Sequence, residues 1–175
     1  MAENIEVAIL GNGCFWCTEA VFQLVKGITK VESVYSGGDI ENPTYKDICT
    51  GTTNHAECLR VYFDSNITSY EDVLKVFWES HDPTTVNRQG NDVGTQYRSI
   101  IFYTNEQQQQ IAEDFKKQLN ESGKFKSPIV TLIEPATTFY VAEDYHQNYY
   151  NNNGSAAYCQ FVVRPKVEKY LKTLA

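Results

Sequence analysis

The sequence is short of positive charge and of long apolar runs. Fifteen Lys and Arg stand against 22 Asp and Glu, a formal net charge of −7 at pH 7. This balance disfavours a broad surface for nucleic acid or for an anionic membrane. No run approaches the about 18 apolar residues that a transmembrane helix needs. The first residues, 1–6, lack the basic start and apolar core of a secretory signal. We therefore expect a cytoplasmic protein with neither nucleic-acid nor membrane partners.

Methionine is also scarce, and cysteine occurs in an odd number. The single Met is the initiator, which would suit a protein that works among oxidants. The five cysteines do not form the pattern of a small disulfide-stapled scaffold. In a reducing compartment such cysteines are either buried and inert or chemically employed. At 175 residues, the chain is long enough to bury a sizeable core within one domain.

Short strands alternate with helices along the chain. Strands are predicted over 6–10, 28–36, 56–64, 97–103 and 129–133. Helices are predicted over 15–26, 45–48, 70–80, 105–119, 143–150 and 167–174. The β-α-β-β-α-β order up to residue 103 predicts an α+β fold, a ferredoxin-like two-layer sandwich with a mixed or antiparallel sheet. The part beyond residue 120 is expected to wrap irregularly around this core. The polar loop 82–94 is long enough to suggest a functional role.

Residues 13–19 (GCFWCTE) place Cys14 where a strand ends and a helix begins. The free N–H groups of a helix start carry about half a positive charge, which stabilises a thiolate. We therefore expect a lowered pKa for Cys14. The aromatic residues Phe15 and Trp16 would line a pocket for a small apolar group. The alternative interpretation is that these two rings belong to the core and that Cys14 is a buried small apolar residue.

Six stretches, in order, resemble the methionine sulfoxide reductase A family. They are 13–16 (GCFW), 42–45 (NPTY), 55–57 (HAE), 81–84 (HDPT), 87–99 (NRQGNDVGTQYRS) and 142–147 (AEDYHQ). The resemblance implies an α/β two-layer enzyme that reduces the S-epimer of methionine sulfoxide, free or in proteins, and so repairs oxidative damage. It implies no metal and no organic cofactor, with thioredoxin as the reductant. We expect a monomer with one domain over 1–175, of which 1–147 is the core and 148–175 a C-terminal segment.

Carried over by position, the resemblance assigns a nucleophile, a pocket and an acid. Cys14 matches the nucleophile, which would become a sulfenic acid. Phe15 and Trp16 match the walls of a pocket for the substrate methyl group. Glu57 matches the acid that protonates the sulfoxide oxygen, which requires a raised carboxyl pKa.

Three further residues match the surroundings of the sulfoxide oxygen. Tyr45 and Tyr97 match hydroxyls that hold this oxygen, as an oxyanion hole would. Asp92 matches a supporting carboxylate. The three histidines are given a positioning role at most; they are His55, His81 and His146.

A second thiol must condense with the sulfenic acid to form a disulfide. Cys159, beyond the asparagine run 151–153, is the first candidate for this resolving role because a flexible connector could carry it to the site. Cys17 is the rival, at CxxC spacing from Cys14. The alternative interpretation of Cys17 is a small apolar residue that fills the buried helix face. Cys17 stands where many family members carry Gly, and the tail after Cys159 lacks the glycine-rich, cysteine-containing end of some members. Cys49 and Cys58 are expected to be structural, with Cys58 on the face opposite Glu57.

Two other functions fit parts of the pattern. The CxxC of Cys14 and Cys17, between a strand and a helix, is also typical of a thiol–disulfide oxidoreductase. That function would leave the loop 82–94 and the tyrosines without a task. A zinc module of Cys14, Cys17, Cys49 and Cys58 is disfavoured because the last two do not form a compact second pair.

Overall fold

The computed structural model describes residues 4–173. Within these residues the strands are β1 (Ile5–Asn12), β2 (Ile28–Ser36), β3 (Ala56–Asp64), β4 (Arg88–Gln89), β5 (Asp92–Val93), β6 (Ser99–Tyr103), β7 (Leu132–Pro135) and β8 (Phe139–Val141). The α-helices are α1 (Phe15–Phe22), α2 (Tyr45–Cys49), α3 (Tyr70–Glu79), α4 (Glu106–Glu121), α5 (Tyr149–Asn152) and α6 (Arg164–Thr173). Short 3₁₀ turns cover Thr95–Tyr97 and Asp144–His146, and a π-helical turn covers Cys159–Val163.

Six strands form one sheet in the order β7-β6-β1-β3-β2-β8. All neighbours are antiparallel except β6 and β7, which run parallel, so the sheet is mixed. In this register Leu10 lies opposite Leu59, and Glu57 lies opposite Tyr35. The expected α+β class with a mixed sheet is therefore confirmed.

The two faces of the sheet carry different clusters of buried residues. On one face, alternate residues of β1 and β3, such as Leu10 and Leu59, pack with α3 and α4 in the main core. The other face holds the smaller cluster that includes Ile9 and Cys58. Because side chains alternate along a strand, Glu57 shares the helix-covered face and Cys58 does not.

Three helices begin at side-chain caps that the sequence contains. The Ser69 hydroxyl accepts a hydrogen bond from the Asp72 amide (3.0 Å) before α3. The Asn105 side chain accepts one from the Gln108 amide (2.8 Å) before α4. Thr44 and Asp47 form a reciprocal capping box before α2. These caps satisfy amides that the first turn leaves unbonded.

The structure differs from the sequence prediction where loop geometry overrides residue pattern. The predicted strand 97–103 begins at Ser99, because Tyr97 closes a 3₁₀ turn. The predicted strand 129–133 is displaced to β7, since the Ile129 amide bonds Asn120 Oδ1 (2.8 Å) instead of a neighbouring strand. The predicted helix 143–150 is broken at Asn148, whose φ of 58° is left-handed. Helix α6 begins three residues before the predicted start at Val167, and the predicted end at Leu174 lies outside the described residues.

The first helix is also shorter than predicted, ending at Phe22 instead of Lys26. The amides of Leu24 and Val25 bond carbonyls three residues back, so the chain leaves the α-helix as turns before Gly27. In residues 4–173, no helix combines the length and apolarity needed to cross a membrane.

The loop 82–94 is ordered by a small hairpin formed by β4 and β5. Gly90, with a φ of 60°, makes the tight turn between them. The Gln89 side chain accepts a hydrogen bond from the Asp82 amide (3.0 Å) and donates one to the Asp82 carbonyl (2.8 Å). This anchoring fixes where Asp92, the partner of Gln89 across the hairpin, can lie.

Candidate active site

Cys14 lies at the N-cap of α1, two residues after β1 ends. Its backbone is extended (φ −61°, ψ 126°), and its carbonyl accepts the Cys17 amide at 3.0 Å. Gly13 makes this turn with a φ of 109°, and a Cβ there would meet the Gln89 side chain at 2.8 Å. The close Gln89 contact and the positive φ both require glycine before Cys14. The thiol is buried, with 5% exposure.

Glu57 reaches the same helix start from β3. Its Oε1 accepts a hydrogen bond from the Phe15 amide (3.2 Å), while Oε2 has no partner among the described residues. Burial raises the Glu57 pKa to about 8; the Phe15 bond opposes this rise, and the negative charge of Asp92 adds to it. The carboxyl is therefore mainly protonated at neutral pH. Cys14 and Glu57 thus share one buried region, and a protonated, unbonded oxygen is available there.

The two thiols at the start of α1 form a hydrogen-bonded pair. Burial raises the pKa of Cys14 well above its ordinary value, and a hydrogen bond to Cys17 and the charge of Glu57 raise it further. The pKa of Cys17 is lowered, because its sulfur gains the hydrogen bond from Cys14. The expectation of a lowered pKa at Cys14 was wrong: desolvation outweighs the helix-terminus charge, and the stabilised thiolate is at Cys17.

Tyr45 and Tyr97 approach this region from α2 and from the 3₁₀ turn before β6. Burial raises the pKa of both phenols, and the charge of Glu57 is the next cause for each. Their hydroxyls are therefore protonated donors within electrostatic reach of the Glu57 carboxyl. Both phenols also interact electrostatically with Cys49, an exposed residue that hydrogen-bonds with Tyr45. Cys49 is thus not the core residue implied by a structural role.

The aromatic pair after Cys14 divides between core and pocket wall. Phe15 is fully buried, with its ring centroid 5.7 Å from that of Tyr35. Trp16 is only half-buried and stacks on Tyr149, with centroids 3.8 Å apart and planes 8° apart. Its indole N–H donates to His146 Nδ1 at 3.0 Å. Stacking and hydrogen bonding together fix the Trp16 ring as a rigid apolar surface beside Cys14.

Sequence reasoning missed Tyr158, which links Asp92 to the thiols. The Tyr158 hydroxyl donates to Asp92 Oδ2 at 2.6 Å. It also interacts with the Cys14 and Cys17 side chains, and it meets Trp16 edge-on at 5.5 Å between centroids. The only signal in the sequence was its position next to Cys159. Asp92 therefore acts on the site in two ways: its carboxylate holds the Tyr158 hydroxyl, and its charge raises the pKa of Glu57.

Glu143 is a second residue that sequence reasoning missed. Its carboxylate accepts hydrogen bonds from the Tyr35 hydroxyl and the Tyr45 amide, both at 2.9 Å. It therefore holds the start of α2, where Tyr45 lies, beside the site. Its place in the 142–147 motif was the available signal.

Cys159 lies in a buried cluster with Cys14, Cys17 and the apolar side of α6. Its exposure is 0%, and burial raises its pKa, with Cys17 as the next cause. Cys159 is thus a neighbour of Cys17 at rest. Part of the asparagine run that was expected to be a flexible connector lies in the short helix α5 (Tyr149–Asn152). Glu19 holds the start of this helix by accepting the amides of Asn148 (2.8 Å) and Tyr149 (3.0 Å).

The remaining cysteine and the histidines have structural contacts. Cys58 lies on the far face of the sheet, where burial raises its pKa to about 12. His55 bonds the Gly38 amide, and His81 bonds Ser99 Oγ at 2.8 Å. Cys58 is separated from the paired thiols, so the four-cysteine zinc module does not form; residues 4–173 contain no group of three or more metal-binding side chains.

Comparisons with known proteins agree with this geometry. The family model for peptide methionine sulfoxide reductase matches residues 6–175. The peptide methionine sulfoxide reductase MsrA of Saccharolobus solfataricus is 53% identical, over 96% of this chain and 94% of its own. That of Deinococcus radiodurans is 57% identical, over 94% of this chain and 80% of its own.

Solved structures show the same fold. Reduced Mxr1 from Saccharomyces cerevisiae matches with a TM-score of 0.80 and 34% identity, covering 89% of both chains. Mxr1 in complex with Trx2 matches with a TM-score of 0.57 at 22% identity, over 85% of this chain and 89% of the other, which supports the fold alone. The match of the family model across nearly the whole sequence, with two relatives above 50% identity, shows that this chain belongs to the peptide methionine sulfoxide reductase family.

Proposed function

We propose that this enzyme reduces the S-epimer of methionine sulfoxide, free or within proteins, to methionine by nucleophilic attack of Cys14. The observation that carries this proposal is the Glu57 carboxyl. It is buried, its pKa is raised to about 8, and its Oε2 has no hydrogen-bond partner among residues 4–173, although Oε1 is held at the start of α1. A protonated oxygen beside a buried thiol is what the reduction of a sulfoxide requires, because the sulfoxide oxygen leaves poorly unless it is protonated.

In the first step the Cys14 sulfur attacks the sulfoxide sulfur. Glu57 gives its proton to the sulfoxide oxygen, which leaves the substrate and ends on Cys14 as a sulfenic acid. The proton of the Cys14 thiol replaces the one that Glu57 gave. Methionine is released, so the substrate is reduced by two electrons and Cys14 is oxidised by two.

Hydroxyls and aromatic rings orient the substrate for this attack. Tyr45 and Tyr97 donate to the sulfoxide oxygen as its negative charge grows, and one such donor is worth about 3–4 kcal/mol. The rigid Trp16 ring, with Phe15 behind it, accepts the methyl group. A single methyl gives only about 1–3 kcal/mol of discrimination, so the choice of epimer depends on the hydroxyls as well.

The resolving thiol forms a disulfide with Cys14 and releases water. Cys159 was the first candidate, but the contacts favour Cys17, which is already hydrogen-bonded to Cys14 and has the more acidic thiol. Cys159, next to Cys17, then attacks the Cys17 sulfur of this bridge. That exchange frees the Cys14 thiol and leaves a disulfide between Cys17 and Cys159. We propose thioredoxin as the reductant of this second disulfide, because Mxr1, whose reduced form is 34% identical to this chain, has been solved in complex with Trx2.

The alternative function, a general thiol–disulfide oxidoreductase, uses the same pair of thiols. It gives no task to the protonated Glu57 oxygen or to the two phenols around it. We therefore favour sulfoxide reduction.

The fold class, domain, location and assembly complete the proposal. The central order β6-β1-β3-β2, with antiparallel neighbours and helices on one face, supports a ferredoxin-like unit. We assign one domain over 1–175, with the C-terminal segment 148–175 carrying Cys159. We further propose that the enzyme acts in the cytoplasm and is a monomer.

Disulfide mapping by mass spectrometry tests the thiol sequence. Reduced enzyme receives one equivalent of a methionine S-sulfoxide and is then trapped with acid and alkylated. We expect one methionine per chain and a disulfide between Cys17 and Cys159, with a Cys14–Cys17 bridge accumulating in Cys159→Ser. Cys58→Ala, changed on the far face of the sheet, is the matched control and should behave as the unmodified chain. A Cys14–Cys159 bridge in Cys17→Ser with undiminished recycling by thioredoxin would restore Cys159 as the direct resolver.

A further inference from the structure

A cavity of about 810 Å³ lies on the side of the molecule formed by α3, the segment 124–127 and α6. It is as large as a typical small-molecule site. It does not include the residues proposed for sulfoxide reduction. We call it the lysine cavity, after the five lysines that line it: Lys75, Lys124, Lys126, Lys166 and Lys169.

The lysines reach the cavity from three separate parts of the chain. Lys75 lies on α3, Lys124 and Lys126 follow α4, and Lys166 and Lys169 lie on α6. They therefore converge through the fold and are not a charged run on one helix face. In a chain with a formal net charge of −7, such convergence is a strong local reversal of sign.

Few negative groups offset this charge. Glu79 is 3.8 Å from Lys124, and among residues 4–173 the other four lysines have no carboxylate within the 4.0 Å of an ion pair. Asp82 also lines the cavity, but its Oδ1 accepts hydrogen bonds from the Thr84 amide and hydroxyl. Like charges held near one another repel, so a bound anion would stabilise this arrangement.

The walls between the lysines are partly aromatic. Phe125 and Tyr170 are both half-buried at the cavity, and Lys124 Nζ lies 5.9 Å from the centre of the Phe125 ring. Compact ammonium groups suit phosphate oxygens, and a flat ring can stack on such walls.

We propose that the lysine cavity binds a small polyanion carrying an oligophosphate chain. Two sources share this chemistry, a nucleoside polyphosphate and free inorganic polyphosphate. Several ammonium groups around one open cavity match a chain of phosphates better than they match a single carboxylate.

The cavity adjoins the cysteine cluster through α6. Val167 of that helix and Val163 in the turn before it pack with Cys17 and Cys159, while Lys166 and Lys169 line the cavity. The charge of Lys166 also reaches one buried group in each region: it contributes to lowering the pKa of Cys17 in the cluster and of His81 at the cavity.

Isothermal titration calorimetry on the full chain tests this proposal. The probes are ATP, inorganic tripolyphosphate and a seven-residue glutamate peptide, each without magnesium and at low salt. We expect ATP or tripolyphosphate to bind with a Kd below about 1 mM and to weaken as salt screens the lysines. Tighter binding of ATP indicates the nucleotide as the source, and equal binding indicates inorganic polyphosphate.

Two double variants provide the matched comparison. Lys126→Ala with Lys169→Ala removes two exposed lysines of the cavity, whereas Lys117→Ala with Lys172→Ala removes the same charge from exposed positions outside it. The first should weaken binding at least about fivefold and the second by less than about twofold. The proposal is overturned if neither phosphate probe binds, if both double variants weaken binding equally, or if the glutamate peptide binds most tightly.

Discussion

Two groups of titratable side chains meet at the start of α1, and they differ in the direction in which their pKa values are shifted. The proton-donor side, made of Glu57, Tyr45 and Tyr97, consists of acids whose pKa values are all raised. The thiol side, made of Cys14, Cys17 and Cys159, contains one thiol whose pKa is lowered, Cys17. Burial is the main cause of every rise, so burial alone does not explain the difference.

The difference comes from hydrogen-bond partners. Cys17 is only 2% exposed, yet a hydrogen bond from Cys14 outweighs its desolvation. Glu57 also accepts a hydrogen bond, from the Phe15 amide, but for this carboxyl desolvation is the larger effect. Glu57 can therefore give a proton at neutral pH, whereas on the other side of the site the thiolate form of Cys17 is favoured relative to an ordinary thiol.

The largest expected effect is the loss of the nucleophile. Cys14→Ser replaces the sulfur by a hydroxyl that cannot attack the sulfoxide at neutral pH, so methionine release should fall by at least about 10³-fold. The measurement is methionine formed per chain in a single turnover. Cys58→Ala, on the opposite face of the sheet, should retain most of the rate. Substantial release of methionine by Cys14→Ser would show that another thiol, Cys17 or Cys159, is the nucleophile.

Loss of the acid should have a somewhat smaller effect. Glu57→Gln keeps an oxygen for the Phe15 amide but cannot give a proton, so the rate should fall by about 10²–10³-fold. With a Glu57 pKa of about 8, the rate of the unmodified enzyme should decline above that pH. Single-turnover assays of Glu57→Gln at pH values below and above 8 should show no such decline. If the rate of the variant also declined above pH 8, the decline would have to come from the titration of a group other than Glu57.

The same substitution should stabilise the fold. The Glu57 pKa rises from 4.5 to about 8 on folding, so between these values the folded state binds more protons than the unfolded state, and stability falls as pH increases. The cost is absent below the unfolded pKa and complete above about 8. At pH 7, Glu57→Gln should therefore raise the free energy of unfolding by about 3 kcal/mol.

Urea unfolding at two pH values checks this sign. The gain from Glu57→Gln should be large at pH 7 and small at pH 4, where the carboxyl is protonated in the folded state and mostly so when unfolded. Equal gains at both pH values would show that the negative charge of Glu57 does not destabilise the folded state.

Local patterns in the sequence predicted the sheet better than the irregular C-terminal third. The strand 56–64 and the capped helices after Ser69 and Asn105 agree with the structure because alternation, caps and burial favour the same element. The predicted helix 143–150 failed because Asn148 adopts a left-handed backbone to donate its amide to Glu19. That contact joins residues 129 positions apart, so no local pattern contains it.

The site was predicted unevenly for the same reason. Family motifs located Cys14 and Glu57, which the structure brings together at the start of α1. The lowered pKa expected for Cys14 was wrong because a motif does not show that the thiol is desolvated and gives its hydrogen bond to Cys17. Tyr158 was missed because its contact with Asp92 depends on how the C-terminal segment packs over the loop 82–94.

The smallest expected effect comes from Tyr158→Phe. This substitution also tests most directly whether the thiol side and the proton-donor side titrate independently. Tyr158→Phe removes the hydrogen bond to Asp92, whose charge already opposes a thiolate at Cys17. The pKa of Cys17 should rise, and its alkylation by iodoacetamide near pH 7 should slow by about threefold to tenfold. Tyr97→Phe, which removes a hydroxyl from the proton-donor side, is the control: it should slow methionine release and leave alkylation of Cys17 nearly unchanged. If both variants slowed alkylation equally, the two sides would titrate as one network, and the division between proton donor and thiolate would not hold.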